Sequence, residues 1–267
     1  MRSTLALLSA AAVALLGGCG AARDMRSQYV ANRAFRDATD ELRSDSPHLA
    51  EVRANLDLAY RLRANDPRFL QRLAGPYQDA GGFEKALRCY EAGGALTHED
   101  YDIEIGSCLL KLGRMRPGTE RLERALKRAA GEFADGQMDQ TRYAGVLNNV
   151  GYALVEADVK VEEASKLIQE AVSIAPLVPA YVDSLGWAYY RRGRYEEAAF
   201  YLERAARLWR RDDPEILWHL GAVHARLGRY RRAESELTRA LALDPSNQEA
   251  RRVLRGLLHE LPPPASA

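Results

Sequence analysis

Histidines and cysteines are the residues of this 267-residue chain with most capacity for metal or nucleophilic chemistry. His219 and His224 come nearest to a ligand pair, but they are five residues apart. Two ligands on one face of a helix need a spacing of four, so these side chains diverge and are predicted to be solvated or core histidines. The sequence also has no Gly-x-x-x-x-Gly-Lys-Ser/Thr loop and no Gly-x-Ser-x-Gly elbow. We therefore predict a protein that is not an enzyme and that has no catalytic residues, metal or cofactor.

The composition predicts an all-α protein. Hydrophobic residues make up 47% of the chain and charged residues 28%, which is typical of globular proteins. Ala, Leu, Arg and Glu dominate, and these are good helix formers. The 38 basic and 37 acidic residues nearly cancel, so no field of the whole chain would attract nucleic acid, and we expect no nucleic-acid partner.

Residues 1–18 are predicted to be a lipoprotein signal peptide. The apolar run 5–16 has 12 residues, too short for the roughly 20 that cross a bilayer but suited to a signal-peptide core. It ends in Leu16-Gly17-Gly18-Cys19, which resembles the bacterial lipobox. That resemblance implies cleavage before Cys19 and a diacylglycerol on its thiol, and several acyl chains anchor a protein stably.

A second interpretation of the same segment stays open: an ordinary signal peptide cut near Gly18 or Gly20, with Cys19 incidental. Under the lipobox interpretation, Gly20 stands where an inner-membrane retention signal often has Asp. By resemblance, the protein would then be anchored in the outer membrane and face the periplasm.

A repeat of about 34 residues organises the rest of the chain. Leu185-Gly186-Trp187-Ala188-Tyr189 is followed 35 residues later by Leu220-Gly221-Ala222-Val223-His224, and each is followed by Gly-Arg-Tyr and spaced Ala and Leu residues. This pattern resembles the tetratricopeptide repeat (TPR) closely. In that pattern the small residues Gly186, Gly221, Ala198 and Ala233 let paired helices approach, and Gly193 and Gly228 end the first helix of each pair.

The same template places further copies upstream, so we predict an alpha-alpha superhelix of about five TPR motifs. The segments are a lipid anchor with a degenerate N-terminal helix pair (19–66), two looser motifs (67–132), an insertion (133–143), three motifs (144–247), and a capping helix with a tail (248–267). The insertion is expected either to extend the following helix or to form a protruding loop. Pro76 lies within a predicted first helix, where we expect a kink or a late start.

Cys89 and Cys108 lie on predicted neighbouring helices of two successive copies. Two interpretations stay open: the helices bring the thiols within bonding distance, or both are small buried residues. We favour the second. An extracytoplasmic compartment would permit a disulfide.

In TPR proteins, ligands usually lie along the concave face formed by the first helices. Projected onto this sequence, the resemblance implies partner binding in that groove by Tyr152, Asp183, Trp187, Tyr190, Arg191, Trp218 and Arg226. Exposed aromatic side chains beside arginines are common anchors at protein interfaces. The equally open alternative is that these aromatics pack on neighbouring repeats. The Lys–Asn clamp by which some TPR domains hold a peptide carboxylate is not visible, since Asp183 and Trp187 occupy its positions in one copy.

The last two-thirds of the chain look like bacterial TPR lipoproteins. The resemblance implies a membrane-tethered adaptor or scaffold of the cell envelope that binds a partner protein or peptide in its concave groove. The alternative is a structural component of an envelope assembly or export machine, pilotin-like or for exopolysaccharide export, held by contacts of the convex face.

Overall fold

The computed structural model describes residues 20–44, 47–97 and 100–260. The predicted signal peptide 1–18, the predicted lipidation site Cys19 and the end of the tail lie outside these residues. The described residues form thirteen helices and no strand, which confirms the all-α prediction. None of the helices searched combines the length and the apolar character that a membrane span requires.

The chain divides into two compact units, Met1–Tyr101 and Asp102–Ala267. The helices of the first unit are α1 (Gly20–Leu42), α2 (Leu49–Leu62), α3 (Pro67–Asp79) and α4 (Phe83–Thr97). Those of the second are α5 (Asp102–Lys111), α6 (Met115–Ala134), α7 (Gln140–Glu156), α8 (Val161–Ile174), α9 (Pro179–Arg191), α10 (Tyr195–Trp209), α11 (Pro214–Arg226), α12 (Tyr230–Leu243) and α13 (Gln248–Glu260).

Two antiparallel helix pairs, α1–α2 and α3–α4, form the first unit. Helix α3 begins at Pro67 behind an Asp66 cap, whose Oδ1 accepts from the Phe69 N–H at 3.1 Å. The helix therefore does not start late, and the other alternative, a kink at Pro76, stays a prediction. The helix continues through Pro76, which has no N–H to donate, and ends at Asp79.

The second unit has four helix pairs, α5–α6 to α11–α12, followed by the single helix α13. The insertion expected at 133–143 lengthens helices instead of forming a long loop. Helix α6 has 20 residues and α7 has 17, and only residues 135–139 connect them. Of the two alternatives left open for this segment, the structure has the extended α7, and α6 is extended as well.

Glycines set the close approach within each pair of the second unit. A Cβ added at Gly151 would lie 2.6 Å from Ile168 Cγ1, and one at Gly221 would lie 2.5 Å from Leu237 Cγ. Both distances are far below the 3.5–4.0 Å of an ordinary carbon contact. Only a residue without a Cβ lets the two helices pack this tightly, as the repeat pattern predicts.

Candidate functional site

The first helices of successive pairs in the second unit contact one another, from α5 through α7, α9 and α11 to α13. We call the surface that they form the first-helix face. The predicted partner-binding residues lie on these helices: Tyr152 on α7, Asp183, Trp187, Tyr190 and Arg191 on α9, and Trp218 and Arg226 on α11.

Trp187 is the centre of an aromatic layer beneath this face. Its ring centroid lies 4.1 Å from that of His219, 4.5 Å from that of Tyr190 and 5.4 Å from that of Trp218. Only 4% of Trp187 is exposed, and its Nε1 donates to Glu156 Oε1 at 2.7 Å. The expectation that Trp187 is an exposed anchor is therefore wrong, and the packing alternative holds for this residue.

Asp183 also lies inside the layer. It is buried, and both of its carboxylate oxygens are 3.0 Å from Nδ1 of His219, which is buried as well. Burial alone would lower the pKa of His219, but the negative charge and hydrogen bond of Asp183 outweigh it and raise that pKa above its ordinary value. Asp183 thus holds α9 against α11 and is not placed to contact a partner, contrary to the prediction.

Glu156 joins three successive repeats. Its Oε2 accepts from Lys111 Nζ on α5 at 2.8 Å, while its Oε1 accepts from Trp187 Nε1 on α9. Burial acts to raise the pKa of Glu156, but Lys111 and the Trp187 bond outweigh it, and the net shift is downward. The sequence gives no signal of the bond between Glu156 and Trp187, because the two residues are 31 positions apart and lie in different repeats.

Two of the other predicted residues are held by acidic groups. The Tyr152 hydroxyl donates to Glu215 Oε1, and burial together with the Glu215 charge raises the pKa of Tyr152. Arg191 lies 3.2 Å from Asp158 Oδ1. These side chains are tied to the protein itself at this face.

Partly exposed side chains lie toward the C-terminal end of the face, where Tyr195 at the start of the second helix α10 borders it. We call Tyr190, Tyr195, Arg226 and Arg252 the tyrosine–arginine patch. The guanidinium carbon of Arg226 lies 4.8 Å from the ring centroid of Tyr195, and the Tyr190 and Tyr195 centroids are 5.5 Å apart. Burial raises the pKa of Tyr190, while the charges of Arg226, Arg191 and Arg252 oppose that shift. Arg226 is exposed and has no acidic partner among the residues that the structure describes.

The remaining candidates for reactive chemistry are buried or dispersed. Cys89 and Cys108 are both buried and neither is in a disulfide, and burial raises the pKa of both thiols to about 12. A neutral thiol is a poor nucleophile. Within the described ranges, no three His, Cys, Asp or Glu side chains are grouped to hold a metal ion.

Comparison with known proteins defines the repeat. Residues 184–248 and 223–260 match a family model described as a tetratricopeptide repeat. The chain contains tetratricopeptide repeats. A curated TPR repeat-containing protein of Pseudomonas aeruginosa is 31% identical over 138 residues, which are 52% of this chain and 22% of that relative. This chain thus spans about a fifth of that relative's length.

Solved TPR structures share the solenoid fold over most of the chain. The APC/C hetero-tetramer Cut9–Hcn1 matches with a TM-score of 0.52 at 16% identity, covering 89% of this chain and 48% of that one. PilW, described as a widely conserved type IV pilus biogenesis factor, matches with a TM-score of 0.52 at 15% identity, covering 84% of this chain and 98% of that one. TPR proteins are generally interaction scaffolds rather than enzymes.

Proposed function

We propose that this protein is a membrane-tethered TPR adaptor of the bacterial cell envelope and that a partner protein or peptide binds its first-helix face. The observation that carries the proposal is the tyrosine–arginine patch. There an exposed guanidinium without an acidic partner among the described residues lies on a tyrosine ring. The fold supports the proposal, because TPR domains bind peptides or proteins.

The patch has the chemistry of an interface anchor. Tyr and Arg dominate the few residues that supply most binding energy at protein interfaces. Stacking on Tyr195 limits the motion of the Arg226 side chain, so less conformational entropy is lost when its N–H groups meet an acceptor. The Tyr190 ring stacks on the buried Trp187 ring, and this contact restricts the orientation of Tyr190. We expect the bound segment to place an acidic side chain at Arg226 and an apolar one on Tyr190.

The membrane tether rests on the lipobox-like Leu16-Gly17-Gly18-Cys19. Under this proposal Cys19 becomes the N-terminal residue of the mature protein and carries its acyl chains, in the outer membrane and facing the periplasm. The mass of the mature N-terminal peptide tests it. A peptide that begins at Cys19 with added acyl mass supports the tether, and an unmodified peptide beginning at any other residue overturns it.

Affinity capture from membranes tests the binding face. We expect the double variant Tyr190→Ala, Arg226→Ala to lose its captured partner, with affinity falling by about 30-fold or more, since anchors of this kind contribute about 2 kcal/mol. Trp187→Ala is not a clean test, because Trp187 is buried and its loss would disturb packing. The matched control is Arg116→Ala, an exposed arginine on the second helix α6. Equal capture by the double variant and the control would remove the patch from the proposal.

A second candidate function is a structural part of an envelope assembly or export machine, held through the second helices. An aromatic cluster on that side favours it: Phe200 on α10 is 59% exposed and packs edge-on against Tyr201, with ring centroids 5.2 Å apart. Tyr201 in turn stacks on Tyr189, and the guanidinium carbon of Arg194 lies 4.7 Å from the Tyr189 centroid. Cross-links that map to Arg194, Arg231 and Arg232 and survive the Tyr190→Ala, Arg226→Ala change would favour this function over the first.

A further inference from the structure

Helix α1 has one face packed in the protein and one face free. Ala31, Ala34 and Ala38 recur at helical spacing and are buried, and α1 contacts α2 and α3. The opposite face is formed by residues three or four positions apart, as one side of an α-helix requires. The exposed residues of this outward face are Met25, Arg26, Tyr29, Arg33, Arg36, Asp37 and Asp40, and exposed Arg43 follows on the same side just after the helix ends.

Two large and partly apolar side chains lie at the N-terminal end of the outward face, on either side of Arg26 in the sequence. Met25 is 50% exposed and Tyr29, one turn later, is 57% exposed. Neither side chain is buried against the protein, although both are large. Tyrosine is enriched at the level of lipid headgroups, where its ring is partly apolar and its hydroxyl remains in water.

The rest of the outward face is cationic, because three arginines of the helix and Arg43 just after it stand against two aspartates, Asp37 and Asp40. Arg43 lies 3.5 Å from Asp40, and Arg33 lies 3.8 Å from Asp37, but all four side chains are more than half exposed, and such surface pairs are weak. Arg26 and Arg36 have no acidic partner within the described ranges. The face thus carries a net positive charge along a helix of 23 residues, which is about 35 Å long at 1.5 Å per residue.

We propose that the outward face of α1 lies on an anionic phospholipid bilayer. The arginines along the helix would lie against the negative headgroups, and each would contribute about 1 kcal/mol of binding free energy, which is about fivefold in affinity. Met25 and Tyr29 would enter the headgroup region. The end with Met25 and Tyr29 is also the end nearest Cys19 in sequence, so an anchored chain would bring this face to the membrane. The proposal concerns α1 alone and does not depend on Cys19 being lipidated or on partner binding at the tyrosine–arginine patch.

Vesicle binding by the chain that begins at Gly20 tests this inference separately from the lipid anchor. That chain keeps all thirteen helices of the structure. The probes are vesicles of phosphatidylcholine alone and of phosphatidylcholine with 30% phosphatidylglycerol, assayed by co-sedimentation at low and at physiological salt. We expect binding to the anionic vesicles only, and weaker binding at the higher salt.

Variants in which arginines are replaced by uncharged residues test which face binds the vesicles. Arg26→Gln with Arg36→Gln should weaken binding to anionic vesicles by about 25-fold, since each surface cation contributes about fivefold. Met25→Ser with Tyr29→Ser should also weaken it. The control with the same change of net charge is Arg231→Gln with Arg255→Gln, exposed arginines of α12 and α13, and it should bind as the parent does.

Three outcomes would overturn the proposal. One is equal binding to neutral and anionic vesicles, and another is equal loss of binding in the arginine variant and its control. The third is self-association of the chain that Met25→Ser with Tyr29→Ser abolishes, without vesicle binding, which would assign the face to a second copy. Circular dichroism spectra of all variants should match the parent, because every changed side chain is exposed.

Discussion

Gly151→Ala tests how closely the paired helices must approach. Gly151 on α7 faces α8, and an added Cβ would lie 2.6 Å from Ile168 Cγ1 and 2.9 Å from the backbone oxygen of Ala164. Ile168 is fully buried, so its side chain is packed against neighbours and cannot turn out to solvent. The backbone oxygen can move only if the two helices separate, so the strain cannot be relieved by one side-chain rotation.

The expected change in stability follows from two opposing effects. Replacing Gly by Ala inside a helix gains about 1 kcal/mol from helix propensity. Adding a methyl group to a packed interface costs roughly 1–3 kcal/mol, and a clash with backbone belongs at the upper end, about 3 kcal/mol. The net expectation is a loss of about 2 kcal/mol in the free energy of unfolding.

Urea unfolding followed by circular dichroism measures this loss, and hydrogen exchange of the α7 and α8 amides locates it. The matched control is Gly131→Ala on α6, where an added Cβ would have no atom within 4 Å. That change should stabilise the protein by about 1 kcal/mol. If Gly151→Ala were as stable as the parent or more stable, the close-approach explanation of these glycines would be refuted.

Two further predictions concern titrating groups. Because the folded pKa of His219 is raised, the stabilisation from its Asp183 contact is complete below pH 6.5 and is lost as the pH rises through the folded pKa. Urea midpoints should therefore fall from pH 6 to pH 9, and Asp183→Asn should flatten that slope; an unchanged slope in the variant would contradict the assignment. Because the pKa of Cys89 and Cys108 is about 12, iodoacetamide at pH 8 should leave both unmodified in the folded protein and alkylate both in urea. Alkylation in the folded state as fast as in urea would contradict their burial.

The repeat pattern predicted the fold well because its signals are local. An aspartate followed by proline is enough to start a helix, and this pattern occurs at Asp66 and Asp213. In the structure each carboxylate accepts from a backbone N–H of the first turn, as a cap should. Gly186 allows a close approach within the pair α9–α10, and Gly221 allows one within the pair α11–α12. Each contact lies within a single pair, so its spacing is visible in the sequence.

The candidate site could be predicted only in part, because its contacts join residues from different repeats. Periodicity placed Tyr190 and Arg226 on the first-helix face, where they are accessible. It could not show that Trp187 is covered by His219 and Trp218, since burial there depends on how α9 and α11 pack against each other. The role of Asp183 was missed for the same reason.

The Glu156 carboxylate couples the local unfolding of successive repeats in the second unit. Stability of a repeat array is approximately a sum of terms within each repeat and between nearest neighbours. One carboxylate bonded to Lys111 in the preceding repeat and to Trp187 in the following one makes the local free energies of three repeats interdependent. The repeats of α5, α7 and α9 should then open as one cooperative block rather than fray singly. Trp187 also stacks on Tyr190 of the tyrosine–arginine patch. Local unfolding near α5 should therefore lower the affinity of that patch for a partner.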